Sequence, residues 1–374
     1  LIAALAAFGA VLALAACGGG GTVGGANEGP QQTAKAGKAT GDLTVSNWPG
    51  YIDPGSKGSV ARFEKDTGLS VKYIEDVNDN NQFFGKMQPL LQQGQSGGRS
   101  IFVVTDWMAK QMHDLGYLQN INMADVPNVQ KNMLDSLRHP STDPQRQFSI
   151  PWQSGMTGIW VDTSKAPEIR SVNDLFDPKY KGQITMLSEM RDTVPLVMKA
   201  DGVDPATASK QDWLDAIAKL KDAVDSGQIR AFTGNEYTED LNSGNIVAAI
   251  GWSGDASLIS NKNAEWRMPT QGCMIFSDNM VIPVGAPNTP AALDWMNWFY
   301  DPKNAAPLTA YILYVSPVQG VQQQLQKTDP SLAHSKLIFP PASFTKNCTP
   351  NLDPPGGTAG IAEVTKAFQD VVTQ

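Results

Sequence analysis

Histidine is almost missing from this chain: His113, His139 and His334 are the only three in 374 residues, and they do not cluster. Metal sites built on imidazole and His-centred acid–base catalysis therefore have little material to work with. Basic charge is also in short supply, with 29 Lys and Arg against 37 Asp and Glu and a formal net charge of −8. Such a balance argues against nucleic acid as a partner and in favour of cationic ones. The apolar run at the start, LIAALAAFGAVLALAA over residues 1–16, is too short for a comfortable membrane span. No internal repeat is visible. What remains is ample for folding: 374 residues with 41% hydrophobic content suit about two domains with a sizeable core.

The opening run ends in small residues and reads as the h-region of a secretory signal, whose charged start is expected to precede it. Leu14-Ala15-Ala16-Cys17 follows and resembles the lipobox of bacterial lipoproteins, in which the cysteine is lipidated and becomes the new N-terminus. A plain secretory signal with a chance cysteine is the alternative. Residues 18–41 are mostly Gly, Ala, Thr and Gln without apolar periodicity, the composition of a flexible tether. Cys273 and Cys348 are the remaining thiols. Export favours a disulfide between them, and two separate thiols are the alternative.

The folded part is organised around Ile246 to Asp255, IVAAIGWSGD, an apolar β-branched run that ends in an aromatic, a Gly and an acid. A run of this kind suits a strand buried on both faces of a parallel sheet. Ligands of open α/β sheets sit beyond the carboxyl ends of the strands, where Trp252 and Asp255 would be delivered. The same ending recurs. Leu43 to Ser46 breaks at Asn47-Trp48-Pro49-Gly50-Tyr51, Ile101 to Val104 ends in Thr105-Asp106-Trp107, and Gln183 to Leu187 opens into Ser188-Glu189-Met190-Arg191-Asp192. Helical spacing is read at 60–67, 83–93, 107–115, 213–224 and 291–299, with another helix after Asp301-Pro302. Two long extended segments, 149–161 and 274–284, would carry the chain out of one lobe and back. Strands alternating with helices give α/β architecture.

In this order, Asn47-Trp48 with Tyr51, Val103-Val104-Thr105, Ile150-Pro151-Trp152 and Asp174-Leu175-Phe176-Asp177-Pro178-Lys179-Tyr180-Lys181-Gly182 resemble the spermidine/putrescine-binding proteins of bacterial ABC importers. The resemblance continues through Trp252-Ser253-Gly254-Asp255, Ser277-Asp278 and Tyr314 to Ser316-Pro317. It implies a two-lobed periplasmic-binding-protein fold of type II, with two crossover strands as hinge and the ligand in the cleft. The expected boundaries are 42–153 with 277–316 for the first lobe and 154–276 with 317–374 for the second. The implied ligand contacts are Trp48, Tyr51, Thr105, Trp107, Glu189, Asp192, Trp252, Asp255, Phe276, Asp278 and Tyr314, with Asn351 as a polar amide near the C-terminus. Pro49-Gly50 departs from the polar or acidic residues some members carry there.

Those residue types suit a polyamine, an apolar chain with an ammonium at each end. Aromatic faces hold methylenes and attract ammonium groups, and carboxylates anchor the ends. The implied protein is an extracytoplasmic, lipid-anchored monomer without cofactor or metal, which passes putrescine or spermidine to an ABC permease. Three other readings stand beside it. Gly251-Trp252-Ser253-Gly254-Asp255 nearly matches the G-x-S-x-G nucleophile elbow, and Asp278 and His334 follow in hydrolase order, although an acid at the fifth position opposes a developing oxyanion. A receptor for a sugar or another small solute would also use Trp and Asp. A surface adhesion or signalling lipoprotein would keep the fold and lose transport.

Overall fold

The structure, a computed structural model, describes residues 31–374. The signal segment 1–17 with Cys17, and the tether as far as residue 30, lie outside the described residues. The strands are β1 Asp42–Asn47, β2 Ser70–Glu75, β3 Ile101–Thr105, β4 Ile150–Asp162 and β5 Ile184–Leu187. They continue with β6 Ile229–Thr233, β7 Ala248–Trp252, β8 Ala264–Arg267, β9 Met274–Val281 and β10 Thr349–Pro350.

One sheet path runs β2-β1-β3-β9-β4-β7-β5-β6, with β10 on β9 and β8 on β4. Its symmetry explains the two lobes. Parallel β2-β1-β3 lies on one side, parallel β7-β5-β6 on the other, and the antiparallel pair β9 and β4 joins them. Every residue of the thirteen-residue β4 is buried, because it carries partners along both edges. The expected long crossover segments are thus β4 and β9, and they pair with each other. The organising stretch differs from the all-parallel expectation: β7 pairs parallel with β5 but antiparallel with β4.

Helices cover the sheet and supply the cores. In the first lobe Phe63 packs edge-on against Trp295 at 5.0 Å between ring centroids, and Trp152 against Phe299 at 4.7 Å. In the second, helix Lys210–Asp225 starts at a Ser209/Asp212 capping box and buries Trp213, Ile217 and Leu220. The helix Gly357–Val372, which the sequence reading did not single out, packs against it.

Two expected boundaries are corrected. Residues 317–335 do not pass to the second lobe. Leu134 donates to the Pro317 carbonyl at 2.9 Å, Gln319 donates to Asn132 at 2.7 Å, and helix Val321–Thr328 packs on helix Pro302–Ile312. The chain reaches the second lobe only near Cys348, which is disulfide-bonded to Cys273 beside the β10–β9 pair. The tether is also shorter than 18–41, for the Ala34 amide donates to Asn120 at 2.8 Å and Asn288 donates to the Thr40 carbonyl at 2.9 Å. Packing of the buried Ala34 methyl and these bonds outweigh a composition that favours disorder.

Candidate functional site

The carboxyl ends of β1 and β3 face those of β5 and β7 across a narrow cavity. Trp48, Pro49 and Tyr51 arrive from the loop after β1, Asn80 from the helix after β2, and Thr105 from the end of β3. Opposite them stand Glu189 and Asp192 after β5, Asn235 after β6, Trp252 at the end of β7 and Asp255 just beyond it. Phe276 and Asp278 project from β9, and Tyr314 and Asn351 complete the wall.

Two glycines of the organising stretch exist for close approach. A Cβ at Gly251 would lie 2.5 Å from Cζ of Tyr237, and one at Gly254 would lie 2.1 Å from the Tyr314 ring. Tyr314 is itself aimed by an unusual turn. Leu313 ends helix Pro302–Ile312 with φ of 62°, a left-handed conformation that costs a β-carbon residue about 1–2 kcal/mol, and Val315 then exchanges backbone hydrogen bonds with Ser154. Tyr51 packs edge-on against Tyr314 at 4.8 Å, Trp48 against Trp252 at 6.0 Å, and Phe276 against both Trp252 and Tyr314. An aromatic box results.

Four buried carboxylates point into it. Asp278 accepts from the Tyr51 hydroxyl at 3.0 Å and from Thr105 at 2.9 Å. Asp255 accepts from Tyr314 at 2.6 Å, from Asn235 at 3.0 Å and from the Tyr237 hydroxyl. Asp192 accepts from Thr157 at 2.9 Å and from the Trp252 indole at 3.0 Å. Asn351, with its amide nitrogen turned toward acceptors, adds a bond to Asp192 at 3.1 Å. Glu189 is the exception. One oxygen accepts from Asn80 at 2.9 Å and the other, although buried, has no partner among the described residues.

Burial dominates the acidity of all four. It raises Asp192 and Asp255 to about 6 against their neutral donors, and Asp278 to about 7 with help from the nearby Asp106 and Asp192 charges. Glu189 rises to about 8, through burial and then Asp79. Burial, and then the adjacent carboxylates, also push Tyr51, Tyr237 and Tyr314 well above the usual phenol range, so each remains a donor. No Lys, Arg or His lines the cavity. The cavity wall therefore carries four carboxyl groups, three of them with both oxygens engaged by neutral donors, and no basic side chain.

A comparison with known families matches residues 58–335 to the bacterial extracellular solute-binding protein family. The chain belongs to that family.

Among curated relatives of this solute-binding protein, the putrescine-binding periplasmic protein PotF of Escherichia coli (strain K12) is 26% identical over 328 residues, covering 80% of this chain and 83% of that protein. A solved structure from Listeria monocytogenes, assigned to spermidine/putrescine ABC transport, matches with a TM-score of 0.77 and 25% identity over 88% of this chain and 98% of that one. The fold is the two-lobed periplasmic-binding-protein fold of type II. It does not itself choose the solute. The protein AgtB of A. tumefaciens R10, solved with agropinic acid, has the same fold at a TM-score of 0.71 and 18% identity, over 89% of this chain and 99% of that one.

The structure gathers eleven of the twelve expected contact residues around one cavity. Trp107 is the correction. It lies outside the cavity wall, and the Arg191 guanidinium covers its ring, 3.6 Å from the centroid. Asn80, Asn235 and Tyr237, which hold the acids, were not foreseen. No periodicity marks them, and only the strand-end position of Asn80 and Asn235 offers a signal.

The hydrolase arrangement is absent from the geometry. Ser253 Oγ accepts the Met156 amide at 3.2 Å, Asp278 is engaged by Tyr51 and Thr105, and His334 Nδ1 lies 2.7 Å from the Pro330 carbonyl. None of the three is a partner of another. Among the described residues no group of three or more His, Cys, Asp or Glu is disposed to hold a metal ion, and no helix is long and apolar enough to cross a membrane.

Proposed function

We propose that this solute-binding protein captures a polyamine, putrescine or spermidine, and delivers it to the permease of an ABC importer. The observation that carries the reading is the cavity lining: four buried carboxylates and an aromatic box, with no basic side chain. Each carboxylate is held by neutral donors, so its charge is oriented but not cancelled. An ammonium supplies the missing charge and donates to oxygens such as the unpartnered one of Glu189. The methylenes between two ammonium groups then lie against Trp48, Trp252 and Phe276, whose faces attract cations by about 0.5–2 kcal/mol per contact. Relatives named for putrescine and for spermidine with putrescine support the same class.

Closure follows from the same charges. Carboxylates from both lobes repel in the absence of a cation, and a dication between them favours the closed arrangement by the difference of its affinities for the two states. The protein acts as a monomer outside the cytoplasm, held to the membrane by a lipid on Cys17. The test has two arms. A thermal-shift panel of diamines, triamines, amino acids and sugars should show stabilisation by amines alone. Deletion of the gene should abolish uptake of labelled amine, and restoration by wild type but not by Cys17→Ser at native expression would support the anchor. Stabilisation by a sugar and by no amine would overturn the reading.

A further inference from the structure

Arg191 lies in the first turn of helix Met190–Ala200, between the cavity acids Glu189 and Asp192, and is itself 2% exposed. Its Nε and Nη2 donate to one oxygen of Asp353 at 2.9 and 2.6 Å. Its Cζ stands 3.6 Å from the centroid of the Trp107 ring. Trp107 belongs to the opposite lobe, two residues after the cavity residue Thr105, and its indole nitrogen has no partner among the described residues. The contact therefore joins the two lobes just outside the cavity wall, beside the acids Glu189 and Asp192.

A tryptophan face beside an acidic slot is a cation site. Here the chain fills it with a cation of its own. A guanidinium suits the place because it is planar, stacks on aromatic faces and is weakly hydrated. Its carboxylate partner does not explain its burial, since the Asp353 side chain is 45% exposed and could be met in solvent.

We propose that Arg191 is a specificity-determining residue: lodged on Trp107 and anchored by Asp353, it is an end-stop that limits the slot to diamines. It takes the position over Trp107 that a further ammonium of a longer amine would occupy, and its positive charge repels that ammonium. The inference rests on the polyamine reading above and adds the length of the ligand.

The test is calorimetric titration of the wild-type protein and its variants with putrescine and with spermidine, read as the ratio of the two affinities. Wild type is expected to prefer putrescine. Arg191→Gln should move the ratio toward spermidine by about 2- to 30-fold, the range of one cation–π contact. Adding Trp107→Ala should cancel that gain, because the freed face is what the longer amine uses. Asp353→Asn, at a half-exposed position, should shift the ratio in the same direction by less, and it carries the test if Arg191→Gln does not fold. A general loss of packing would weaken both amines equally and leave the ratio unmoved. An unmoved ratio in folded Arg191→Gln, or a wild type that prefers spermidine, overturns the end-stop while leaving the polyamine reading intact. Wild type that binds neither amine overturns both.

Discussion

Asp278→Asn separates binding from folding, because one carboxylate has opposite effects on the two. In the empty cleft Asp278 is buried and its pKa rises from 3.8 to about 7, so ionising it there costs on the order of 4 kcal/mol. Asn keeps the shape and can still bond to Tyr51 and Thr105, both of which donate now and can accept. The empty variant should therefore match wild type only below about pH 4, be more stable by about 1.5 kcal/mol at pH 5, and be more stable by up to about 4 kcal/mol at pH 8. Binding moves the other way. An ammonium brought against a neutral amide loses its counter-charge after desolvation, which costs about 2–5 kcal/mol, or about 30- to 4000-fold in affinity. Denaturant melts of the empty protein at the two pH values, paired with amine titrations, read both effects on one sample. Affinity within threefold of wild type, or lower stability of the empty variant at pH 8, would refute the assignment of Asp278 as the principal amine anchor.

The remaining expectations use the same acids and the segment that steadies them. Amine affinity should rise with pH between about 5 and 8, because Asp192, Asp255, Asp278 and Glu189 ionise over that range and only the ionised forms balance an ammonium. Binding should release protons, seen as a calorimetric enthalpy that depends on the ionisation heat of the buffer; no such dependence would contradict the acidities. The empty protein should lose stability over the same range, since carboxylates with raised pKa hold protons in the fold that the unfolded chain gives up from about pH 4 upward. Reducing Cys273–Cys348, or replacing both cysteines by Ala, should weaken amine binding severalfold before it unfolds the protein. The bridge fixes the segment that brings Asn351 to Asp192 and Asp353 to Arg191, and affinity unchanged by reduction would show that β10 suffices to hold it.

Much of the sheet was legible because its strands are buried on both faces, and an uninterrupted run such as Ile101 to Val104 has few other uses. Acids and aromatics at strand ends were legible for a related reason: the carboxyl end of a strand is where a side chain leaves the core for the cleft. Trp107 shows the limit of that argument. It satisfies the same pattern, yet its face is taken by Arg191 from the other lobe, a contact that no local spacing encodes. Tyr237 was hidden likewise, although Gly251, against which its ring packs, stood in plain view. Residues 317–335 were misassigned because the chain crosses between lobes by way of Phe339 to Cys348, where no hydrophobic strand announces the passage. β6 and β8 escaped since both are short and only partly buried, and their alternation is weak.

The account stands or falls on whether the cleft takes an organic polycation. Calorimetric titration of the protein with putrescine and with spermidine, using glucose and maltose as controls, measures this directly. The account predicts one-to-one binding of an amine at micromolar concentration or below, with no heat from either sugar. Silence toward both amines at protein concentrations that would reveal millimolar binding, or saturable binding of a sugar, would contradict it.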